Sequence, residues 1–280
     1  MIVTSILILG GVGLAFAILI ALANKRLKVW EDPRIDVVAS MLPNANCGAC
    51  GLPGCRAFAE QAVAGVIAPA KCTVSNEAGV VAIANYLGVD KGEAIKRVAR
   101  LRCAGGTDVA VQRADYRGLQ SCAAAAAVAG GGKGCTWGCL GLADCEVSCD
   151  FDAIRMSATG IPVVDPGKCT ACGDCVEACP KDLFVLMPVS QHLLVQCRNL
   201  LSGDEVLEQC KVACTACGRC VQDSAPGLIS VASGVAVINH DMIAQETARA
   251  TERCPTDAIV WLEGAQCAPI RRTSARSAVA

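Results

Sequence analysis

Cysteine is the feature that most constrains what this chain can fold into. The sequence holds 21 Cys and only 2 His among 280 residues, while aromatic residues make up 3%. Few aromatic side chains are therefore present to fill a large core, and cysteine at this density is typical of disulfide or metal scaffolds. Because histidine is scarce, any metal sites must be built from thiolates, which favours iron–sulfur clusters or all-cysteine zinc.

The N-terminal segment indicates which of these chemistries applies. Residues 2–23 are mostly apolar and long enough to span a bilayer as one helix, and Lys25, Arg26 and Lys28 follow. Since Lys and Arg favour the cytoplasmic side, we expect a single-pass anchor in the inner (plasma) membrane, with its N-terminus outside and the rest of the chain in the cytoplasm. Disulfides are rare there, so the cysteines point to metal.

A cleaved signal peptide is the alternative, because residues 21–23 (Ala-Leu-Ala) resemble a cleavage site. It would make the chain an exported disulfide protein. The length of the apolar run and the lack of Lys or Arg before it argue against that interpretation.

The first cysteine group lies in a glycine-rich loop. It has the spacing Cys47-x2-Cys50-x4-Cys55-x16-Cys72. Glycines at 48, 51 and 54 allow tight backbone turns, and residues 56–66 have helical periodicity that can return the chain to Cys72. Four thiolates in such a loop suit a [4Fe–4S] cluster, with structural zinc as the alternative.

The second group has the spacing of bacterial ferredoxins. Its run is Cys169-x2-Cys172-x2-Cys175-x3-Cys179 followed by Pro180. The fourth cysteine of such a run ligates the other cluster of the pair. A partner run precedes it, in which Leu142 occupies the middle ligand position and Cys135 is the expected replacement. The predicted cluster sets are Cys135, Cys139, Cys145 and Cys179, and Cys149, Cys169, Cys172 and Cys175.

A third group repeats the second after 75 residues. Cys135, Cys139, Cys145 and Cys179 map onto Cys210, Cys214, Cys220 and Cys254, and strand–turn–strand patterns surround Gly160 and Gly234. One ligand set is complete: Cys214, Cys217, Cys220 and Cys254. The positions of the other set hold Ser224, Ala244, Thr247 and Ala250. Because all four losses fall in one site, the pattern indicates a two-cluster module that has lost one whole cluster.

Five cysteines remain outside these sets. Cys103, Cys122, Cys197 and Cys210 flank the first ferredoxin-like module and could hold a fifth cluster, or they could be separate buried thiols that act as small apolar groups. Cys267 lies in a Pro/Arg/Ser/Ala-rich tail and is expected to be a free thiol.

Other patterns exclude function classes. A net charge of −1 lacks the basic footprint of a nucleic-acid-binding protein. No dinucleotide or P-loop motif occurs, so direct NAD or flavin binding is not expected, and the glycine-rich segment 130–134 is expected to be a turn. Residues 123–127 predict a short helix. Residues 91–102 predict another with a basic face, which is either merely solvated or a dock for acidic ferredoxin.

Together these patterns predict an α+β protein with one transmembrane helix, a small helical [4Fe–4S] module and two tandem bacterial-ferredoxin-like modules built of pseudo-twofold hairpin and helix repeats. The expected divisions are a transmembrane anchor (1–26), an N-terminal [4Fe–4S] domain (27–90), a helical linker (91–134), a two-cluster module (135–190), a degenerate one-cluster module (191–263) and a flexible tail (264–280).

Nearly the whole chain resembles the B subunit of the Rnf complex, a membrane-bound ion-translocating ferredoxin:NAD oxidoreductase. The resemblance rests on the anchor, the stretch Asp32-Pro-Arg, the segment Leu42-Pro-Asn-Ala-Asn-Cys-Gly-Ala-Cys-Gly-Leu-Pro-Gly-Cys, Arg102-Cys-Ala-Gly, Gly138-Cys-Leu-Gly and both ferredoxin-like modules. The extended cysteine set is similar to the longer, many-cluster form of that subunit.

This resemblance implies an electron-transfer subunit of a translocase without a catalytic site of its own. Electrons would pass from reduced ferredoxin through the clusters to the other membrane subunits, and ion translocation would occur in those subunits. Two alternatives stay open from the sequence: a component of the related complex that reduces a regulatory Fe–S protein, and a zinc-stabilised membrane scaffold.

Overall fold

The protein was analysed as a computed structural model, which describes residues 2–27, 31–93 and 95–266. Helix α1 (Ile2–Leu27) is 26 residues long, which corresponds to about 39 Å at 1.5 Å per residue. Its stretch Leu9–Leu27 is long and apolar enough to cross a membrane and is not buried against the rest of the described chain. The predicted anchor is therefore a helix whose apolar side chains are exposed over Leu9–Leu27, and it ends with Lys25 and Arg26 in its last turn.

A small helical unit follows the anchor. It consists of α2 (Pro33–Met41), α3 (Cys55–Val63), a 3₁₀ turn (Pro69–Lys71) and α4 (Glu77–Leu87). Side-chain caps begin α2 and α4, since Asp32 accepts from the N–H of Arg34 and Asn76 from that of Gly79. Val38, Phe58 and Ile83 are at most 1% exposed and form the core, on which Cys50, Cys55 and Cys72 pack. The predicted helix after Cys55 is confirmed.

The middle of the chain contains two antiparallel strand pairs and three short helices. Its elements are β1 (Arg97–Leu101), α5 (Cys122–Ala127), α6 (Asp144–Val147), β2 (Ile154–Met156), β3 (Pro162–Val164), α7 (Asp174–Glu177) and β4 (Phe184–Pro188). β2 pairs with β3 as a hairpin around Gly160, and β1 pairs with β4 over a long sequence separation. The predicted hairpin at 154–165 and the short helix at 123–127 are confirmed.

The last part of the described chain has a similar order of elements. Its elements are β5 (Leu193–Val195), α8 (Arg219–Gln222), β6 (Ile229–Ala232), β7 (Val235–Ile238), α9 (Arg249–Glu252) and β8 (Ile259–Trp261). β6 and β7 form a hairpin around Gly234, and β5 pairs with β8. The two pairings correspond, because Phe184 of β4 faces Leu101 while Ile259 of β8, 75 residues later, faces Val195.

The helix predicted over residues 91–102 is wrong. The chain instead forms β1, whose residues Val98–Leu101 are buried, whereas Lys91, Lys96 and Arg97 stay exposed. Arg100 is 2% exposed and donates to the carbonyl of Gly264 at 2.7 Å. Pairing with β4 overrides the local helical composition, because each strand residue gains a buried partner that the sequence around it does not reveal. The segment 91–134 is thus joined to the middle unit and is not a purely helical linker.

Apolar packing is divided among several small clusters that contain cysteines. One lies around Leu193, Leu228 and Ile259 with Cys220 and Cys254, and another around Leu101, Ile154 and Leu183 with Cys145 and Cys175. The small number of large side chains in each cluster agrees with the scarcity of aromatics. Whatever the thiols bind must therefore contribute to holding these units together.

Candidate metal centres

Twenty cysteines lie in the described part of the chain, and the structure joins none of them in a disulfide. They gather into five groups of four, which we number site 1 to site 5. Site 1 holds Cys47, Cys50, Cys55 and Cys72; site 2 holds Cys149, Cys169, Cys172 and Cys175; site 3 holds Cys122, Cys139, Cys145 and Cys179; site 4 holds Cys103, Cys135, Cys197 and Cys210; site 5 holds Cys214, Cys217, Cys220 and Cys254. Cys267 falls outside the described residues.

Site 1 is shaped by the glycine-rich loop before α3. Its four cysteines line one cavity with Phe58 as a wall. Asn46 holds the loop, because its Oδ1 accepts the N–H of Cys55 at 2.9 Å, and a Cβ on Gly54, which has φ +144°, would lie 2.9 Å from that oxygen. The Oγ of Ser75 donates to Sγ of Cys72 at 3.3 Å. The structure therefore brings these four cysteines together, in agreement with their spacing.

Sites 2 and 5 share one local design. Both contain the segment Cys-Thr-Ala-Cys-Gly-x-Cys, at 169–175 and 214–220. The alanines of these segments, Ala171 and Ala216, adopt φ of 58° and 57°, so that the backbone curls in the same way at both sites. The third cysteine of each segment is buried in a short helix, α7 or α8. Cys149 completes the first cavity and Cys254 the second, as the sequence predicts.

Site 3 is assembled around the buried thiol of Cys145. Burial raises the pKa of Cys145 to about 12, and the neighbouring thiolates of Cys122 and Cys179 add to the effect. Burial likewise raises the pKa of Cys139 to about 12, with Cys145 among its neighbours. Asp144 brings Cys122 into place, because its carboxylate accepts the N–H groups of Cys122 and Ala123 at 2.9 and 3.0 Å, while the next residue along the chain is Cys145.

Site 4 is the most enclosed group. Cys103, Cys135 and Cys210 are buried, and Cys197 is partly buried. All four line one cavity, together with Lys133, Trp137 and Asn199. The N–H groups of Gly105 and Asn199 donate to Sγ of Cys103 and Cys197 at 3.4 and 3.5 Å, and Nδ2 of Asn199 donates to Sγ of Cys135 at 3.5 Å.

The grouping of sites 3 and 4 differs from the sequence-based sets by one exchange. The structure places Cys135 with Cys103, Cys197 and Cys210, and it places Cys122 beside Cys145. The predicted pairing of Cys122 with Cys103, Cys197 and Cys210 is therefore wrong. The internal repeat could have indicated the observed grouping, because Cys135 corresponds to Cys210 in the repeat and both lie in site 4.

Four of the sites follow one another as neighbours. Cys145 of site 3 and Cys175 of site 2 are buried in the same apolar cluster, and the charge of Cys175 raises the pKa of Cys145 further. The N–H of Cys139 in site 3 donates to Sγ of Cys103 in site 4 at 3.4 Å. The backbone of Cys214 in site 5 lowers the pKa of the Cys197 thiol in site 4, and both residues pack against the same apolar cluster. The order is therefore site 2, site 3, site 4, site 5.

The donor sets fit iron–sulfur clusters better than single ions. A tetrahedral Zn²⁺ with four thiolates requires sulfur atoms roughly 3.8 Å apart, given zinc–sulfur bonds of about 2.3 Å. In the part of the chain that the structure describes, no three His, Cys, Asp or Glu side chains converge closely enough to hold one metal ion. Backbone N–H groups donate to the sulfurs of Cys169 in site 2 and of Cys103 and Cys197 in site 4, and such bonds would tune the potential of a bound cluster.

Comparison with known proteins supports this chemistry. A family model for an Fe-S cluster matches residues 42–74, which contain site 1. A model described as a 4Fe-4S binding domain matches residues 162–184, which contain Cys169–Cys179. The fold and these sites define the class: an iron–sulfur protein with an apolar N-terminal helix that could span a membrane.

Curated relatives identify the family within that class. The chain is 42% identical over 252 residues to the B subunit of the Na(+)-translocating ferredoxin:NAD(+) oxidoreductase complex of Acetobacterium woodii, covering 90% of this chain and 75% of that protein. It is 36% identical to the B subunit of an ion-translocating oxidoreductase complex of Methanosarcina acetivorans, covering 85% of this chain and 90% of that protein.

A third relative is the B subunit of the proton-translocating ferredoxin:NAD(+) oxidoreductase complex of Clostridium ljungdahlii, at 35% identity over 89% of this chain and 88% of that protein. The chain belongs to the family of B subunits of Rnf-type ion-translocating oxidoreductase complexes. It is an iron–sulfur electron-transfer subunit of such an oxidoreductase.

Proposed function

We propose that this subunit carries five [4Fe–4S] clusters and conducts electrons from reduced ferredoxin to the membrane subunits of its complex. All twenty described cysteines would serve as ligands, four at each of the five sites. When bound, the clusters supply one-electron transfer over a wide range of potentials. The two tandem ferredoxin-like modules would contribute sites 2, 3 and 5, and site 4 would lie between them.

The observation that carries this proposal is the row of contacts from site 5 to site 2. Cys103 of site 4 accepts the N–H of Cys139 from site 3, and on the other side of site 4 the backbone of Cys214 acts on the thiol of Cys197. Cys139 and Cys214 correspond to each other in the 75-residue repeat. Site 4 thus connects the two modules, and a chain without it would have an interruption in the middle of the row.

Exposure suggests where electrons arrive. Cys217 of site 5 is the one cysteine in the described residues classed as exposed. Arg219, beside it in the same cavity wall, is also exposed and offers a positive charge to an acidic ferredoxin. The loss of the second cluster in this module, at Ser224, Ala244, Thr247 and Ala250, leaves site 5 as its single redox site. We therefore propose that reduced ferredoxin donates its electrons at site 5.

Site 1 would be the cluster site that lies close to the membrane. Its first helix, α2, begins at Pro33, and α1 ends at Leu27. Six residue steps span at most about 20 Å, so the site 1 unit is tethered close to the membrane surface. Lys25 and Arg26 at the end of α1 favour a cytoplasmic location for everything that follows.

The first experiment measures iron and acid-labile sulfide on the anaerobically purified full chain in detergent. Five clusters predict about 20 iron atoms per chain and four predict about 16. Near 16 would reject the fifth cluster. Zinc without iron would reject electron transfer altogether.

The second experiment tests the row with freeze-quenched EPR after mixing with reduced ferredoxin. In wild type, signals from sites 5, 4, 3 and 2 should appear. In C197S, which removes a ligand of site 4, reduction should stop at site 5. C72S is the matched control, since it alters site 1 and leaves the row intact. Wild-type reduction of sites 2 and 3 in C197S that lacks the site 4 cluster would contradict the proposed order.

A further inference from the structure

Lys133 lies at the junction of sites 3 and 4 without being a cluster ligand. It lines the cavity of site 4, and it is half-buried. The sequence pattern around it, a turn of glycines leading into Cys135, has no role in the function proposed so far.

The ammonium group of Lys133 joins a backbone segment of each site. Its Nζ donates to the carbonyl oxygen of Cys139, a residue of site 3, at 2.6 Å. It also donates to the carbonyl of Gly105, whose own N–H is bonded to the sulfur of Cys103 in site 4. The same two segments meet in the Cys139–Cys103 contact. Lys133 therefore clamps the place where the two sites touch.

Its charge is directed at thiols of both sites. Lys133 lines one cavity with Cys135 and Cys210 of site 4, and its Nζ lies 2.6 Å from the carbonyl oxygen of Cys139 in site 3. The ion pairs that the described part of the chain shows do not include Lys133. Its positive charge therefore acts on the sulfur groups and on the two carbonyl dipoles without a carboxylate to cancel it.

The backbone is built to bring the side chain there. A Cβ on Gly138 would lie 3.1 Å from Cε and 3.2 Å from Cδ of Lys133, so the lysine stem packs tightly over Gly138. A Cβ on Gly132 would lie 2.1 Å from the carbonyl oxygen of Ala114, which fixes the approach of the preceding turn. The aliphatic stem is thus packed while the charged end bonds to the Gly105 and Cys139 carbonyls.

We infer that Lys133 is a positioning residue shared by sites 3 and 4, whose ammonium group holds the Gly105 and Cys139 segments together and makes both sites easier to reduce. The inference rests on the proposed function, since it assigns clusters to these sites. A positive charge stabilises the added electron of each four-thiolate cluster, because attraction between charges is strong where water is largely excluded. Both potentials should therefore be higher than they would be without it.

The test compares holoprotein in detergent for wild type, K133Q, K133M and K133R by potentiometric titration monitored with EPR. K133Q and K133M remove the charge, and K133R keeps it. In the neutral variants two of the clusters should shift to lower potential, with about a tenfold change in their reduced-to-oxidised ratio at fixed potential, which is about 59 mV for one electron. K133R should keep the reduced-to-oxidised ratio of wild type. K96M is the matched control, because Lys96 is exposed, and it should leave every ratio unchanged.

Each result decides the matter. Full iron in K133Q and K133M with unchanged potentials would overturn the inference. Loss of iron in both neutral variants with full iron in K133R would support it, since the charge would then be needed to assemble the two sites. Loss of the same amount of iron in K133R would overturn the inference, because the role of Lys133 would then be purely steric. A wild-type chain without iron–sulfur clusters would reject the proposed function itself and is recognised before any variant is compared.

Discussion

The backbone N–H of Cys139 donates a hydrogen bond to Sγ of Cys103 at 3.4 Å, although the two residues belong to different cysteine groups. A ligand-bearing loop of site 3 is thereby in direct contact with a sulfur of site 4. Hydrogen bonds to cluster sulfurs tune potential, so with a cluster bound at site 4, as proposed, this contact would influence its potential. On the other side of site 4, Cys214 and Cys197 pack against the same apolar cluster.

The exchange of Cys122 and Cys135 between sites leads to the first prediction. C135S should lose the same EPR signal as C197S, and C122S should lose the same signal as C179S, because each pair shares a site. Each variant should contain up to about four fewer iron atoms than wild type. The measurement is the EPR spectrum of the reduced protein together with its iron content. If C135S matched C179S, the sequence-based grouping would be restored.

Removal of the metal should unfold most of the chain beyond Arg26. The apolar clusters around the sites contain few large side chains, so metal binding must supply much of the folding free energy. Far-UV circular dichroism before and after iron chelation under reducing conditions measures the change. Helix α1 should persist in detergent and provides the internal control. A spectrum that chelation leaves unaltered would contradict the prediction.

Two neighbouring glycines provide a matched pair for stability. Gly130 has φ +67° with nothing within 4 Å of an added Cβ, whereas Gly132 has φ +78° and a Cβ there would meet the Ala114 carbonyl oxygen at 2.1 Å. G130A should lower the free energy of unfolding by about 1–2 kcal/mol, the cost of a left-handed conformation for alanine. G132A should be worse by at least about 2 kcal/mol, because the backbone must move.

The measurement is anaerobic thermal loss of cluster absorbance. G130A should lower the midpoint slightly, while G132A should show a much lower midpoint. Equal midpoints for the two variants would mean that the Gly132 turn is not packed against Ala114.

The ion pair between Arg253 and Asp223 should help to retain the cluster at site 5. Nε and Nη2 of Arg253 donate to the two carboxylate oxygens at 2.7 Å, and the Asp223 side chain is 8% exposed. The pair links α9, next to Cys254, to the end of α8, which contains Cys220. Because removing Arg253 leaves the enclosed carboxylate without its partner, R253M should release the iron of site 5 to a chelator several-fold faster.

The control for this pair is R155M. Arg155 pairs with Glu146 and Asp152, whose side chains are 27% and 70% exposed, more than that of Asp223, and exposed pairs contribute little. The site 5 EPR signal during chelation distinguishes the variants. The same rate in R253M and R155M would show that the Arg253–Asp223 pair does not hold α8 and α9 together.

Prediction from the sequence succeeded where the ligands are local. The loops 47–55, 169–175 and 214–220 place three cysteines each within a few residues, and their glycines allow the turns that bring the thiols together. The hairpins around Gly160 and Gly234 were also predictable, because alternating apolar residues flank a turn residue. Local backbone preference alone is sufficient for these features.

Prediction from the sequence failed where segments that are distant in the chain meet. Residues 91–102 have helical composition, but Leu101 pairs with Phe184 and the N–H of Ala99 donates to Sγ of Cys169 at 3.5 Å. These contacts join segments separated by about 70 residues or more, so that a local pattern carries no information on them.

The sequence by itself determined that this is a thiolate-rich protein with an apolar N-terminal segment long enough to span a membrane and a repeated ferredoxin-like cysteine pattern, because spacing, hydropathy and repeats are properties of the linear chain. Only the tertiary structure decided that Cys135 joins Cys103, Cys197 and Cys210, that Cys122 is held beside Cys145 by Asp144, and that the charge of Lys133 lies between the two sites. The physical reason is that each of these sites is closed by segments far apart in the chain, whose meeting depends on the packing of β1, β4, β5 and β8 and not on any local preference.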